Sequence, residues 1–261
     1  MVSSALTQAG WEAAHGAPPA WYGALAMWGP VAAALLLLVL LARAILHRPR
    51  YRALAVLGEA ECERVHAALR EAERRTAGEI VPIVLERSDR HPGADWLAAL
   101  TFLLAGSALL APHLSWDSPP LVLLAQLALG ALGFLVARAL PGFKRLFVSE
   151  ARASEMAEEQ AQQEFFANAL HRTEGSSGIL LFVSLLERRS IVLADEGIAS
   201  RVAPETWAEA DRAVLEGIRR GSLCDGLVAA IAACGAVLAE HAPWREGDRN
   251  ELPDRLIVRR E

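Results

Sequence analysis

Trp96-Leu-Ala-Ala-Leu-Thr-Phe-Leu-Leu-Ala-Gly-Ser-Ala-Leu-Leu-Ala-Pro112 contains no charged side chain, and neither does Pro119-Pro-Leu-Val-Leu-Leu-Ala-Gln-Leu-Ala-Leu-Gly-Ala-Leu-Gly-Phe-Leu-Val-Ala137. About 20 apolar residues cross the hydrocarbon core of a bilayer as a helix, so each run is long enough to span. A charge at the centre of a spanning helix costs about 2.5–3.5 kcal/mol on insertion scales, and both runs avoid one. The joint, Ala111-Pro-His-Leu-Ser-Trp-Asp-Ser-Pro-Pro120, is short and rich in turn formers, which makes the two helices neighbours in a hairpin. A pair of buried core helices is the competing reading, and two consecutive uncharged runs of this length argue against it.

Upstream, Ala13 to Ala42 is also uncharged, and Trp21 to Ala42 is long enough to span. Trp21, Tyr22 and Trp28 lie toward one end, as interfacial aromatics do. A cleavable signal peptide wants a basic start, and residues 2–20 contain no Lys or Arg. Basic residues flank the apolar runs on one side only. Arg43, Arg48, Arg50 and Arg52 follow the first run, Arg87 and Arg90 precede the second, and Arg138, Lys144 and Arg145 follow the third. The positive-inside rule assigns that side to the cytoplasm and puts the N-terminus and residues 111–120 outside. The expected location is the cell membrane, multi-pass.

The flanking sequence reads as a soluble domain. Cys62, Val65, Leu69 and Ala72 recur at helical spacing within Glu59–Arg75, and Thr76-Ala-Gly78 stops that helix. Glu79-Ile-Val-Pro-Ile-Val-Leu85 is a β-branched strand, with one free edge at Pro82 because proline cannot donate to a ladder. One helix and one strand cannot make a core. Their partners lie beyond the hairpin, which returns the chain to the side it left. There, Phe147 to about His171 reads as a long helix with Phe165, Phe166 and Leu170 inward. Ile179–Leu185 reads as a central strand, Ser190–Ala194 as its antiparallel return, and Pro204–Arg220 as a helix. A last core helix has Ser222 and Asp225 in a capping-box pattern and Gly226–Ala239 uncharged. The link between Leu85 and Ile179 contains a helix, which suits a crossover between parallel strands of one sheet.

The fold class expected is therefore α/β: a small mixed sheet flanked by helices, interrupted by a transmembrane helical hairpin, plus an N-terminal transmembrane helix. In order, the chain divides into a disordered tail at 1–20, a transmembrane helix at 21–47, the first part of the domain at 55–92, the hairpin at 94–140, the second part at 145–241 and a C-terminal tail at 242–261. A mean hydropathy of +0.26 with only 6% aromatics fits this split between Ala/Leu/Val-rich spans and charged helices. The net charge of −5 and the scatter of basic residues over the soluble helices argue against nucleic-acid binding.

Several residues resemble the TPM domain family. Glu73-Arg-Arg-Thr-Ala-Gly-Glu-Ile-Val81 resembles its opening strand motif, and Gly178-Ile-Leu-Leu-Phe-Val-Ser-Leu-Leu-Glu-Arg188 its second strand and turn. Ile191-Val-Leu-Ala-Asp-Glu-Gly-Ile198 resembles its third strand, and Trp207 with the Asp225-Gly226 helix resembles the segment after that strand. The tail Asn250-Glu-Leu-Pro-Asp254 resembles that of bacterial members with an inserted hairpin. The resemblance covers about residues 55–95 and 145–257 and implies an α/β/α fold with a small sheet. Among such relatives it implies acid phosphatase activity, divalent-cation binding or assembly of membrane complexes. The acidic stretch that plastid-type members carry before the first helix is here Tyr51-Arg-Ala-Leu-Ala-Val-Leu-Gly58, without an acid.

Glu79, Glu187, Asp195 and Glu196 lie near strand ends and are the candidate metal ligands, for Ca²⁺ or Mg²⁺ through oxygen donors. Solvated acids also sit at strand ends. Cys62, Cys224 and Cys234 form no CxxC pair and fall on apolar faces, as small buried hydrophobes do. No GxSxG, Walker or HExxH motif is present. The residues lead to a membrane-anchored interaction or assembly module with no catalytic cofactor, partnered by the lipid bilayer and by another membrane protein. A divalent-metal-dependent phosphatase at the membrane surface is the alternative.

Overall fold

The computed structural model describes residues 20–46, 51–110, 118–173, 175–244, 246, 251–253 and 255–260. The tail expected at 1–20 lies outside the described residues except for its last position, and so do Arg48, Arg50 and most of the hairpin joint. The main elements are α1 (Ala20–Leu46), α2 (Glu59–Glu73), β1 (Glu79–Leu85), α3 (Pro92–Leu110), α4 (Pro119–Ala139) and α5 (Glu150–Ala167). After them come β2 (Gly178–Ser184), β3 (Arg189–Ala194), α6 (Ala208–Arg220), α7 (Leu223–His241) and β4 (Ile257–Arg259).

The strands form one sheet in the order β3-β2-β1-β4. β1 runs parallel to β2, with Glu79 opposite Gly178 and Leu85 opposite Ser184, although the hairpin and α5 lie between them in sequence. β3 returns antiparallel to β2. The domain expected to be split by the hairpin is therefore one sheet, built from both sides of it.

Strand alternation sends side chains to two faces. Ile80, Val84, Ile179, Leu181 and Val183 pack against Leu69 of α2, Val214 of α6 and Leu227 and Ile231 of α7. Val81, Ile83, Leu85, Leu180 and Phe182 pack against Ala157, Ala161 and Phe165 of α5. With helices on both faces, β1 and β2 are buried throughout, which is why β2 reads as an unbroken apolar run. At Gly178, a Cβ would come 2.5 Å from the Leu170 carbonyl oxygen, so the start of β2 passes too close to that loop for any side chain.

Among the described residues, three helices are long and apolar enough to cross a membrane: α3, α4 and α7. Half of the α7 window is buried, and its apolar side chains fill the core beside α2 and α6. The α3 and α4 windows are only 17% buried and leave Leu100, Leu104, Leu124 and Leu127 exposed. The two pair closely. A Cβ on Gly133 would lie 2.6 Å from the Ala98 carbonyl oxygen, and Trp96 sits over Phe134 at 5.1 Å between ring centroids. Ala44 near the end of α1 packs with Ala98, Ala137 and Phe143 at the base of this pair.

The structure corrects several expectations. The stretch 242–261 is more than a tail: Ile257–Arg259 pairs parallel to Ile83–Leu85 as β4. β1 is thus an interior strand. Pro82 is tolerated because the β4 ladder begins one residue later, at Ile83. The helix expected over 147–171 is shorter: Arg145–Phe147 and Leu170–Arg172 are single 3₁₀ turns around α5. Phe166 faces solvent because Phe165 takes the core position. Ser222 donates its hydroxyl to the Asp225 carboxylate instead of capping the backbone of α7.

Candidate functional site

The carboxyl ends of β1, β2 and β4 share one edge of the sheet, since Leu85 lies opposite both Ser184 and Arg259. β1 leaves that edge and the chain soon enters α3, which starts at Pro92, so the edge rests on the base of the helical pair. In open α/β sheets ligands bind outside the carboxyl ends of the strands.

Glu187, in the turn after β2, is fully buried there. Its Oε1 accepts from Nε2 of His91 at 2.6 Å, and its Oε2 from the Ser184 hydroxyl. The Ser88 N–H donates to both oxygens at 3.2 Å. Burial alone would push the Glu187 carboxyl up; the hydrogen bonds from His91, Ser184 and Ser88 outweigh it and hold the group below its ordinary value. The other ring nitrogen of His91, Nδ1, faces Asp89 Oδ2 at 3.4 Å. His91 takes a left-handed backbone, φ 46°, and the Asp89 carboxylate steadies this turn by accepting the His91 N–H at 3.0 Å. The next residue, Pro92, opens α3.

A second buried pair stands beside the first. Lys144, the chain's only lysine, lies just past α4 and reaches back to Asp95 in the first turn of α3 at 2.9 Å, and to the Arg90 carbonyl at 2.7 Å. Both side chains are over nine-tenths buried. A compact ammonium with three donors can serve both acceptors from one point, which a planar guanidinium cannot. Breaking such a pair leaves an uncompensated buried charge and costs about 3–5 kcal/mol.

The candidate ligands do not converge. Glu187 is at the carboxyl edge. Glu79 begins β1 at the opposite edge, and its Oε1 accepts the Glu251 N–H at 2.9 Å. Seven residues of strand, roughly 20 Å at about 3.3 Å per residue, separate the two. Asp195 and Glu196 follow β3, which runs antiparallel and so ends beside Gly178, away from Glu187. Asp195 caps a short helix through the Glu196 N–H at 2.8 Å. Among the described residues no group of three or more His, Cys, Asp or Glu is placed to hold a metal ion.

Of this cluster, only Glu187 stands out in the sequence as a candidate ligand. His91, Asp89, Asp95 and Lys144 do not, although a lone lysine in an arginine-rich chain and the polar run Ser88-Asp-Arg-His91 just before an apolar helix are visible signals.

No family model matches the chain, and no curated protein matches it in sequence. Among solved structures, the NMR structure of the BA42 protein from the psychrophilic bacterium Bizionia argentinensis is similar with a TM-score of 0.49 and 18% identity, over 77% of this chain and 94% of that one.

Proposed function

We propose that this protein is a membrane-anchored, non-enzymatic interaction or assembly module of the TPM type, with its α/β domain held on the cytoplasmic face. The helical pair α3–α4 crosses the membrane, and α1 anchors the chain a third time. The observation that carries this reading is the use made of the carboxyl edge. Where α/β proteins place their chemistry, this one places Glu187–His91 and Lys144–Asp95, whose polar atoms are turned on one another. They couple the sheet to the first turn of α3 and to the residues after α4. The basic flanks Arg43, Arg52, Arg87, Arg138 and Arg145 all fall on the domain's side of the helices, which supports the cytoplasmic assignment. Exposed apolar side chains on the domain, Phe166 and Trp244, offer contact points for a partner membrane protein.

The rival reading, a metal-dependent phosphatase, needs several carboxylates aimed at one point. Glu187 lies at the carboxyl edge, whereas Glu79 and Asp195–Glu196 lie toward the opposite edge on strands that are not neighbours, and this weighs against it.

Two measurements on the same protein test the proposal. Purified full-length protein gives no turnover of a generic phosphomonoester above background, with or without Ca²⁺ or Mg²⁺. A photo-crosslinker at Phe166 gives a discrete membrane-protein adduct in intact cells. Metal-dependent turnover abolished by Asp195→Asn with the fold intact, together with no adduct, would overturn the module reading in favour of the enzyme.

A further inference from the structure

A cavity of about 140 Å³ opens at the carboxyl edge, with Lys144 in its wall. It is smaller than the roughly 300–1,000 Å³ of ordinary small-molecule sites, too small for a nucleotide. Its walls come from three strand ends and the end of α4: Glu86 and Arg87 after β1, Leu186 after β2, Arg260 after β4, Arg138 in the last turn of α4, then Lys144 and Tyr51.

Its position follows from the topology. The chain crosses from β1 to β2 over the face covered by α5, and later returns to β4 over the face covered by α6 and α7. β1 and β4 run parallel with Leu85 opposite Arg259, so Glu86, Arg87 and Arg260 emerge side by side there, and open α/β sheets take ligands outside the carboxyl ends of their strands.

Its chemistry is anionic recognition. Four cations line it against one carboxylate, Glu86, which already accepts the Ala53 N–H at 3.2 Å. Lys144 is neutralised by Asp95. Arg138 and Arg260 are exposed and, among the described residues, have neither hydrogen bond nor ion pair. Two uncommitted guanidiniums at one small crevice match the fork geometry of a phosphate.

Its depth selects the source. Arg138 closes a 21-residue helix apolar enough to span, so the crevice lies at the headgroup level of that leaflet. Leu127 and Leu135 are exposed along the same helix, where an acyl chain would run. We propose that this crevice binds the phosphate of an anionic phospholipid headgroup, with Arg138 and Arg260 as its ligands. The proposal rests on the membrane reading above. Basic pockets at the ends of spanning helices hold anionic headgroups in this way.

The test uses the full chain in vesicles of phosphatidylcholine with a minor fraction of phosphatidylglycerol, then extracted into mild detergent and weighed by native mass spectrometry. Wild type retains phosphatidylglycerol over phosphatidylcholine on the order of tenfold. Arg138→Gln with Arg260→Gln loses that preference, with its melting curve unchanged. Arg74→Gln, at the opposite end of the sheet, keeps it. Retention unaltered in the double variant overturns the proposal. So does complete displacement of the lipid by millimolar inorganic phosphate, which would make free phosphate the ligand. A chain that inserts into vesicles without lipid preference sinks this inference alone, whereas a chain that never inserts sinks the membrane reading with it.

Discussion

Glu187 shows how one side chain can hold two parts of a molecule together. It is a buried anion whose carboxylate is met by His91, Ser184 and Ser88, and its removal leaves those donors facing a void. Glu187→Ala costs about 3–5 kcal/mol, read as a shift in denaturant midpoint in detergent. The carboxyl is held below its ordinary value of 4.5. A depressed value means the bonded, ionised form stabilises the fold above that ordinary range, and the contribution is lost as pH falls through the depressed value. Wild type therefore loses stability on acidification below about pH 4.5 in a step that Glu187→Gln lacks; superimposable acid profiles would refute this. Asp211 runs the other way. Burial pushes its carboxyl up to about 6, and its Oδ1 has no hydrogen-bond partner, so its ionisation opposes folding.

At the scale of elements, the helical pair is closed by small residues. Gly133 touches the Ala98 carbonyl and Phe102 of α3, a contact that in a lipid environment depends on backbone approach. Gly133→Ile splays the pair, and a disulfide between cysteines placed at Ala99 and Gly130, formed readily in a cysteine-free parent, fails to form in the variant. β4 is a short strand with a specific role, covering the outer edge of β1 beyond Pro82. A chain ending at Asn250 loses it, together with the Glu251 N–H that meets Glu79; limited proteolysis should then cut within α2 or β1 at rates that leave wild type intact. The strands β1 and β2 and their shared sheet were legible in the sequence, because apolar runs of seven residues bounded by turns have few other solutions. β4 was not legible. Leu256-Ile-Val258 is short, sits among charges, and becomes a strand only because β1 leaves an edge open. The candidate site was half legible for a related reason. Acids near strand ends are visible in a sequence, but which end of the sheet each one reaches depends on strand direction. The buried partners Lys144 and Asp95 lie 49 residues apart, and only the pairing of α3 with α4 brings them together.

For the whole molecule, two pieces of chain separated by the helical pair α3–α4 make one sheet. The parallel pairing of β1 with β2 shows that both pieces are on the same side. The exposed leucines along α3 and α4 then need an apolar surrounding. In the proposed topology the helical pair crosses the membrane, and the positive-inside rule assigns the domain to the cytoplasm and the joint between α3 and α4 to the outside. The most direct measurement is accessibility of single cysteines in intact cells, in a parent with Cys62, Cys224 and Cys234 replaced by serine or alanine. Ser118→Cys, at the start of α4, should be labelled from outside by a membrane-impermeant maleimide, while Ser200→Cys, in the domain, should be labelled only after the membrane is breached. Labelling of both positions under the same condition would contradict this topology, since the helical pair would not then cross the membrane.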